Sequence, residues 1–350
     1  MRMRQIICAV LVSVMFLTGC SSADVMETTE TTVASASETS DKTEESSSVT
    51  TEPPRFEFNP HVHTDLIPEV CKDEYWEAMY NVCDAIRTGE DSFECSSKKA
   101  YEWATNEMVL GTFFPSAYML VKGGGYKDGK GKIKYKISKD KMAARQKAFE
   151  EEITRMINES VKTDYSDFEK IVGVCDYMER NFEYDYSEID ANSADDFGTY
   201  ACLMSKKGTC IELAGAYTYL LLQCGVNAVK MSEFEGLCHS WTYVVSGGKG
   251  FYVDVTWGLC DQDSDTRWNM NYFLETTQER LADGAVKEDI RPEIIWYWIQ
   301  DYKSDKFDAT DDTFSFLHAG ARFISMDTDR KVLKYETETG EAEYFYGDKG

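Results

Sequence analysis

A chain of 350 residues has room for one large domain or two ordinary ones, and an apolar fraction of 43% lets it bury a real core. Its formal net charge of −25 argues against nucleic acid and anionic headgroups as partners, because no basic patch is present to meet their phosphates. The acidity reads instead as solubility at a crowded, anionic surface.

The first element stands outside the core. Arg2 and Arg4 precede an apolar run from Ile6 to Leu17, too short for a lasting bilayer span and of signal-peptide length. The run ends in Leu17-Thr18-Gly19-Cys20, which resembles the lipobox of bacterial lipoproteins. That resemblance implies loss of residues 1–19 and a diacylglycerol on the Cys20 sulfur. The chain would then be held by lipid to the outer face of a Gram-positive-like cytoplasmic membrane. Two acyl chains, at ~0.8 kcal/mol per buried methylene, anchor stably where one does not. Read without the lipidation, the segment is an ordinary secretory signal, and the protein is exported either way. Losing Arg2 and Arg4 and no acid leaves 35 basic against 62 acidic residues, a formal −27.

From Ser21 to Arg55, 16 of 35 residues are Ser or Thr, and Pro53-Pro54 closes the run. Nothing in it offsets the entropy of ordering, so residues 20–59 read as a disordered tether with a reach of about 30 Å. Residues 60–163 read as an accessory α+β region. Glu74 to Arg87 has a helical rhythm through Trp76, Met79, Cys83 and Ile86. Gly123-Gly124-Gly125 and Gly129-Lys130-Gly131 break a hairpin that continues into alternating Ile133, Tyr135 and Ile137. Lys139 to Lys162 reads as a charged helix carrying Met142, Phe149, Ile153 and Ile157. His61 and His63 lie one residue apart and read as surface residues rather than a metal pair. With no CxxC pair and only four histidines, all dispersed, no metal or other cofactor is expected.

Residues 164–280 hold the chemistry. Thr209, with Glu212 three residues on and an apolar run behind it, is a capping-box signature. It puts Cys210 at the first position of a helix whose buried face is Leu213, Ala214, Tyr217, Leu220, Leu221 and Cys224, stopped by Gly225. The free N–H groups and positive dipole end there stabilise a thiolate and can receive an oxyanion. After the segment Asn227 to Met231 and a loop, two strands flank Gly247-Gly248: His239 to Val245, then Gly250 to Trp257. A two-residue turn makes Ser246 face Lys249, so paired positions sum to 495. His239 then stands opposite Thr256, with Asp254 diagonal to it on the same face, within reach of an imidazole–carboxylate contact. Asp254 would orient His239, His239 would activate Cys210, and the thiolate would attack a carbonyl.

Eleven cysteines fit this reading. Cys8 leaves with the signal and Cys20 takes the lipid. Of the odd number left, Cys210 is the free thiol, and Cys71, Cys83, Cys95, Cys175, Cys202, Cys224, Cys238 and Cys260 could form up to four disulfides. After residue 280 come the aromatic segment Ile294 to Trp298 and a hairpin, Lys331 to Tyr335 and Glu343 to Tyr346, in a C-terminal extension, 281–350.

Gly208-Thr209-Cys210-Ile211-Glu212-Leu213-Ala214 resembles the nucleophile motif of the bacterial transglutaminase-like superfamily. His239-Ser240-Trp241-Thr242 resembles its His-Ala-Trp-Asn motif, and Tyr252 to Trp257 its third motif. Asp176 to Asp185 and Asn271-Tyr272-Phe273-Leu274 resemble the flanking segments, so the likeness covers about residues 165–280. It implies an α+β, papain-like core in which a Cys-bearing helix packs on an antiparallel sheet bearing His and Asp. Two departures stand out: Ile211-Glu212-Leu213 replaces a common Glu-Gly-Tyr, and Thr242 replaces Asn. The family also implies a second oxyanion donor upstream, for which Tyr184, Tyr186 and Tyr200 are candidates, whereas Trp241 and Trp257 read as packing. Members cleave peptide or amide bonds, cross-link Gln to Lys, or bind without catalysis. The intact triad favours a cysteine peptidase or amidase acting on extracellular or cell-wall peptide. The alternatives are a cross-linking transglutaminase, an inactive module gripping peptide or glycan, and a structural role with Cys210 bonded to Cys238 or Cys202.

Overall fold

The computed structural model describes residues 54–187, 198–260, 267–299, 302 and 305–347, without the side chain of Cys260. The readings at Cys8, Cys20 and the tether up to residue 53 lie outside these residues. From Arg55 onward the contacts join into one unit. No helix among the described residues is long and apolar enough to cross a membrane.

The helical rhythm near the start becomes α1 (Asp73–Thr88), which stops where Gly89 turns left-handed at φ 71° and its N–H caps Ala85 and Ile86. After β1 (Ser92–Glu94), α2 (Lys98–Ala104) and α3 (Glu107–Phe113), the chain forms the hairpin β2 (Val121–Lys127) and β3 (Lys130–Tyr135). β1 extends it into an antiparallel sheet of order β1-β3-β2. The turn is Asp128-Gly129. The Gly123–Gly125 run lies inside β2, where the register slips and the strand bulges. Tyr101 explains the glycine: a Cβ on Gly123 would sit 2.6 Å from its hydroxyl oxygen. α4 (Lys139–Ser160) buries Met142, Phe149, Ile153 and Ile157 as its spacing requires.

α5 (Asp167–Asn181) begins at a complete Ser166/Glu169 capping box. β4 (Glu183–Tyr184), α6 (Gly198–Ser205) and β5 (Lys207–Gly208) lead to the centre of the protein, with β4 and β5 paired in parallel. There α7 (Cys210–Gln223) is buried at every position except Ile211 and Glu212. A helix apolar on all sides must be enclosed, and α7 packs between α5 and a sheet. That sheet comprises β6 (Ala228–Glu233), β7 (His239–Ser246), β8 (Lys249–Val253) and, after α8 (Val255–Cys260), β9 (Phe273–Glu275). α9 (Thr277–Ala282) precedes β10 (Arg291–Pro292), which completes the antiparallel order β10-β6-β7-β8-β9, and α10 (Glu293–Trp298) follows. The C-terminal hairpin gains a third strand: β11 (Arg322–Asp327), β12 (Val332–Thr337) and β13 (Gly340–Phe345). It docks on α5 through Lys331 Nζ and Tyr346 Oη, which donate to buried Glu169 at 2.9 and 2.8 Å. The fold is α+β, with the cysteine-bearing helix laid on an antiparallel sheet.

The β7–β8 hairpin has the register read from its turn, from Ser246↔Lys249 to Thr242↔Val253. Gly247 and Gly248 both have positive φ, 56° and 76°, as a two-residue primed turn demands. The second strand does not run on to Trp257, however. It stops at Val253, and no Thr256 stands opposite His239, because Asp254 caps a helix instead.

Candidate active site

Cys210 heads α7. The Glu212 carboxylate reaches back to accept from the Thr209 N–H at 2.9 Å and its hydroxyl at 3.2 Å, while its other oxygen accepts from Gly198 N–H at 2.9 Å. This fixes the first turn and holds the thiol where the helix N–H groups converge. The helix is then clamped to the sheet by hydroxyls. Thr242 Oγ1 donates to the Ala214 carbonyl at 3.2 Å and bonds Thr218 Oγ1 at 2.9 Å, with both threonines buried. Thr242 lies three residues along β7 from His239, so the clamp sets how far the imidazole stands from Cys210.

His239 is 7% exposed, and its Nε2 donates to Asp254 Oδ2 at 2.7 Å. A carboxylate only accepts, so Nε2 carries the hydrogen, and Nδ1 is left for the Cys210 sulfur, which is within hydrogen-bond reach of the ring. Asp254 Oδ1 accepts from the backbone N–H groups of Thr256 and Trp257 at 3.1 and 3.2 Å, the N-cap of α8. The α8 start therefore replaces the expected strand, and its two N–H groups orient the carboxylate. Burial alone would push His239 down; the Asp254 charge and hydrogen bond, together with Cys210, overcome it and raise the imidazole to about 9. Burial likewise disfavours the Asp254 charge, yet His239 and Arg280 hold that carboxyl below its usual range. The two shifts agree on an ion pair. Cys210 is a free thiol, as are the other described cysteines, Cys71, Cys83, Cys95, Cys175, Cys202, Cys224 and Cys238. The described residues therefore contain none of the possible disulfides, and Cys210 is bonded to neither Cys238 nor Cys202.

Residues 151–257 match the family model of the transglutaminase-like superfamily. The chain carries a transglutaminase-like domain. No curated protein sequence matches the chain. Among solved structures, one of a TGase is 15% identical over 42% of this chain and 47% of its own, with a TM-score of 0.29. A candidate cysteine protease of Cytophaga hutchinsonii is 11% identical over 39% of this chain and 61% of its own, with a TM-score of 0.21. A candidate protease of Parabacteroides distasonis is 15% identical over 38% and 35%, with a TM-score of 0.24. The chain thus spans less than two thirds of each of these proteins.

Within the transglutaminase-like domain, Tyr184 pairs in register with Gly208, two residues before Cys210, and its ring lies tilted against that of Tyr186, 4.7 Å away. Tyr200 is committed elsewhere, with the Arg145 guanidinium 3.2 Å above its ring and Phe149 beside it. Trp257 stacks on His239 at 4.8 Å and 15°, while Trp241 lies 6.1 Å away, so both indoles pack around the imidazole. His61 and His63 pack on Tyr80 and Trp76 of α1, and His61 Nε2 bonds Asp84 at 2.9 Å.

Several residues that shape the site were not read from the sequence. Arg280 is fully buried and donates from Nη1 to Asp254 Oδ2 at 3.1 Å and from Nη2 to Glu275. Its guanidinium lies 4.8 Å from the Trp241 ring and 5.0 Å from that of Trp257. The loop leading into His239 hangs on two buried carboxylates. Asp289 accepts from Phe234 N–H at 2.6 Å and Glu235 N–H at 3.2 Å; Glu233 accepts from Leu237 N–H at 2.6 Å and from Gly236 N–H. Cys238, just before His239, is held at φ 52°, a conformation costly for a residue with a Cβ. Only the Thr276/Glu279 capping box that opens α9 is a sequence signal pointing toward Arg280.

Proposed function

We propose that the protein is an extracellular acyl-transfer enzyme that hydrolyses peptide or amide bonds through a thioester on Cys210, anchored by lipid at Cys20. The observation that carries the reading is one geometry: a thiol at the head of a buried helix, in reach of an imidazole whose far nitrogen is 2.7 Å from a buried carboxylate. In that arrangement the Cys210 thiolate attacks the substrate carbonyl, and the charge on its oxygen meets N–H groups at the start of α7. The His239 imidazolium gives its proton to the departing amine. Water, deprotonated by His239, then attacks the thioester, releasing the acid and restoring the thiol. Water is always at hand, which favours hydrolysis over cross-linking. The lipobox-like Leu17 to Cys20 and the tether behind it support a substrate met outside the membrane, among cell-wall or surface peptides.

The test is chemical. Iodoacetamide should alkylate Cys210 faster than any other thiol in the folded protein, as read by peptide mass spectrometry, and His239→Ala should abolish that advantage. Incubation with a cell-wall and surface-protein extract should leave an acyl adduct on Cys210, whose mass names the substrate. Labelling of Cys210 no faster than its neighbours, or unchanged in His239→Ala, sinks the proposal.

A further inference from the structure

Arg280 makes no hydrogen bond to Cys210 or His239, yet its charge is fully enclosed. Its position follows from the chain's return. β9 ends at Glu275, the Thr276/Glu279 box starts α9, and Arg280 in its second turn faces back under Asp254. The Trp241 and Trp257 rings bracket the guanidinium, and the same two rings pack around His239. Asp254 Oδ2 therefore accepts from two cations at once, His239 at 2.7 Å and Arg280 at 3.1 Å. Glu275 competes for the other arm of Arg280, and Asp283 stands 3.9 Å from its Nη1.

Resting on the triad reading above, we propose that Arg280 is a positioning residue. It pins the carboxylate of Asp254 toward His239, and together with Glu275 it sets how much of that negative charge the imidazole feels. The physics is a charge relay in the electrostatic sense only; no proton need move along it. An arginine on Oδ2 withdraws part of the field that would otherwise hold the imidazolium, and an ionised Glu275 draws the arginine back. Burial, Asp283 and Asp254 outweigh the pull of Arg280 on Glu275 and raise that carboxyl to about 8, so its charge changes just below the imidazole's own range. The other groups that face His239 are Cys210 from α7 and, across the β6–β7 ladder, Glu233, whose carboxylate is taken up by loop N–H groups.

The experiment follows the His239 ring by NMR in full-length protein labelled at its four histidines, titrated from pH 5 to 11. Arg280→Met removes a positive charge beside Asp254 and should raise the His239 midpoint by about one pH unit. Arg280→Lys restores the charge and should return the midpoint toward that of the native protein. Glu275→Gln removes a negative charge and should lower the midpoint. Shifts of opposite sign for the methionine and glutamine variants are the expected result; a packing role alone would leave the midpoint in place. Midpoints unmoved in both, or moved the same way, overturn the inference. If Arg280→Met does not fold, Glu275→Gln alone decides, with no fall in the midpoint being fatal. Cys210→Ala is the control for the triad itself: if the native His239 midpoint does not fall when the thiol is removed, the failure lies with the triad reading and not with Arg280.

Discussion

Replacing Asp254 by asparagine keeps the shape of the site and removes its charge, and the outcome can be worked from the contacts. The asparagine oxygen can still cap α8 at the Thr256 and Trp257 N–H groups. Its amide nitrogen then faces His239 Nε2 and Arg280 Nη1, donor against donor. In the native protein the imidazole rises from 6.5 to about 9 against the opposing effect of burial, an interaction of about 3 kcal/mol in favour of the charged ring. The folded value lies above the unfolded one. This contribution to stability is therefore complete below pH 6.5 and is lost as pH rises through 9. Urea unfolding at pH 6 and at pH 10 should show the native protein losing about 3 kcal/mol more than Asp254→Asn across that window. Asp254 also helps to raise Glu275, so the titration of that carboxyl adds to the difference in the same direction. At pH 7 the variant's imidazole should be neutral, and Cys210 alkylation should slow by at least tenfold. Equal pH dependence in the two proteins would refute the reasoning, because the imidazole would then owe nothing to Asp254.

The clamp between α7 and β7 predicts that Thr242→Val leaves the Thr218 hydroxyl buried without its partner, costing about 2 kcal/mol in urea unfolding. Thr218→Val in the same chain should recover part of that loss, and a double variant worse than the sum would contradict the pairing. Glu212→Ala removes acceptors from Thr209 and Gly198 and should cost about 1–2 kcal/mol while slowing Cys210 alkylation; a stable variant with full thiol reactivity would show that the cap does not hold the nucleophile. Replacing the whole buried set, D254L/E275L/R280M, should leave thermal stability near native or above it and abolish the selective reactivity of Cys210. A large fall in melting temperature would mean that these charges are there to hold the fold.

What could be read from the sequence was local. Thr209 and Glu212 announce the start of α7 within four residues, and Gly247-Gly248 fixes a register that needs only its own turn. The error at Asp254 was local too. Tyr252 to Trp257 is rich in aromatic and β-branched residues, which favours a strand, yet the same stretch offers an Asp at an N-cap, and the cap won. The cysteines carried no comparable signal: export permits disulfides without requiring them, and the described thiols are all free, seven of them buried and Cys238 half-buried. The Thr276/Glu279 box marks the helix that carries Arg280 but says nothing of its burial. Next to Glu279 on a short helix the arginine has the look of a solvated face, and its partner Asp254 lies 26 residues earlier.

That contrast bears on what the site is for. Four ionisable groups, His239, Asp254, Glu275 and Arg280, are withdrawn from water together, and burying an ion costs several kcal/mol even when it is paired. Apolar side chains of similar size would fill the same space without that cost, as they do along α7. A fold selected for stability alone has no reason to keep them. The groups converge on one atom pair, His239 Nε2 and Asp254 Oδ2, and their net effect is to hold one imidazole charged beside one thiol. The desolvation they require is intelligible as the cost of that single charge state, which a nucleophilic cysteine needs and a binding surface does not.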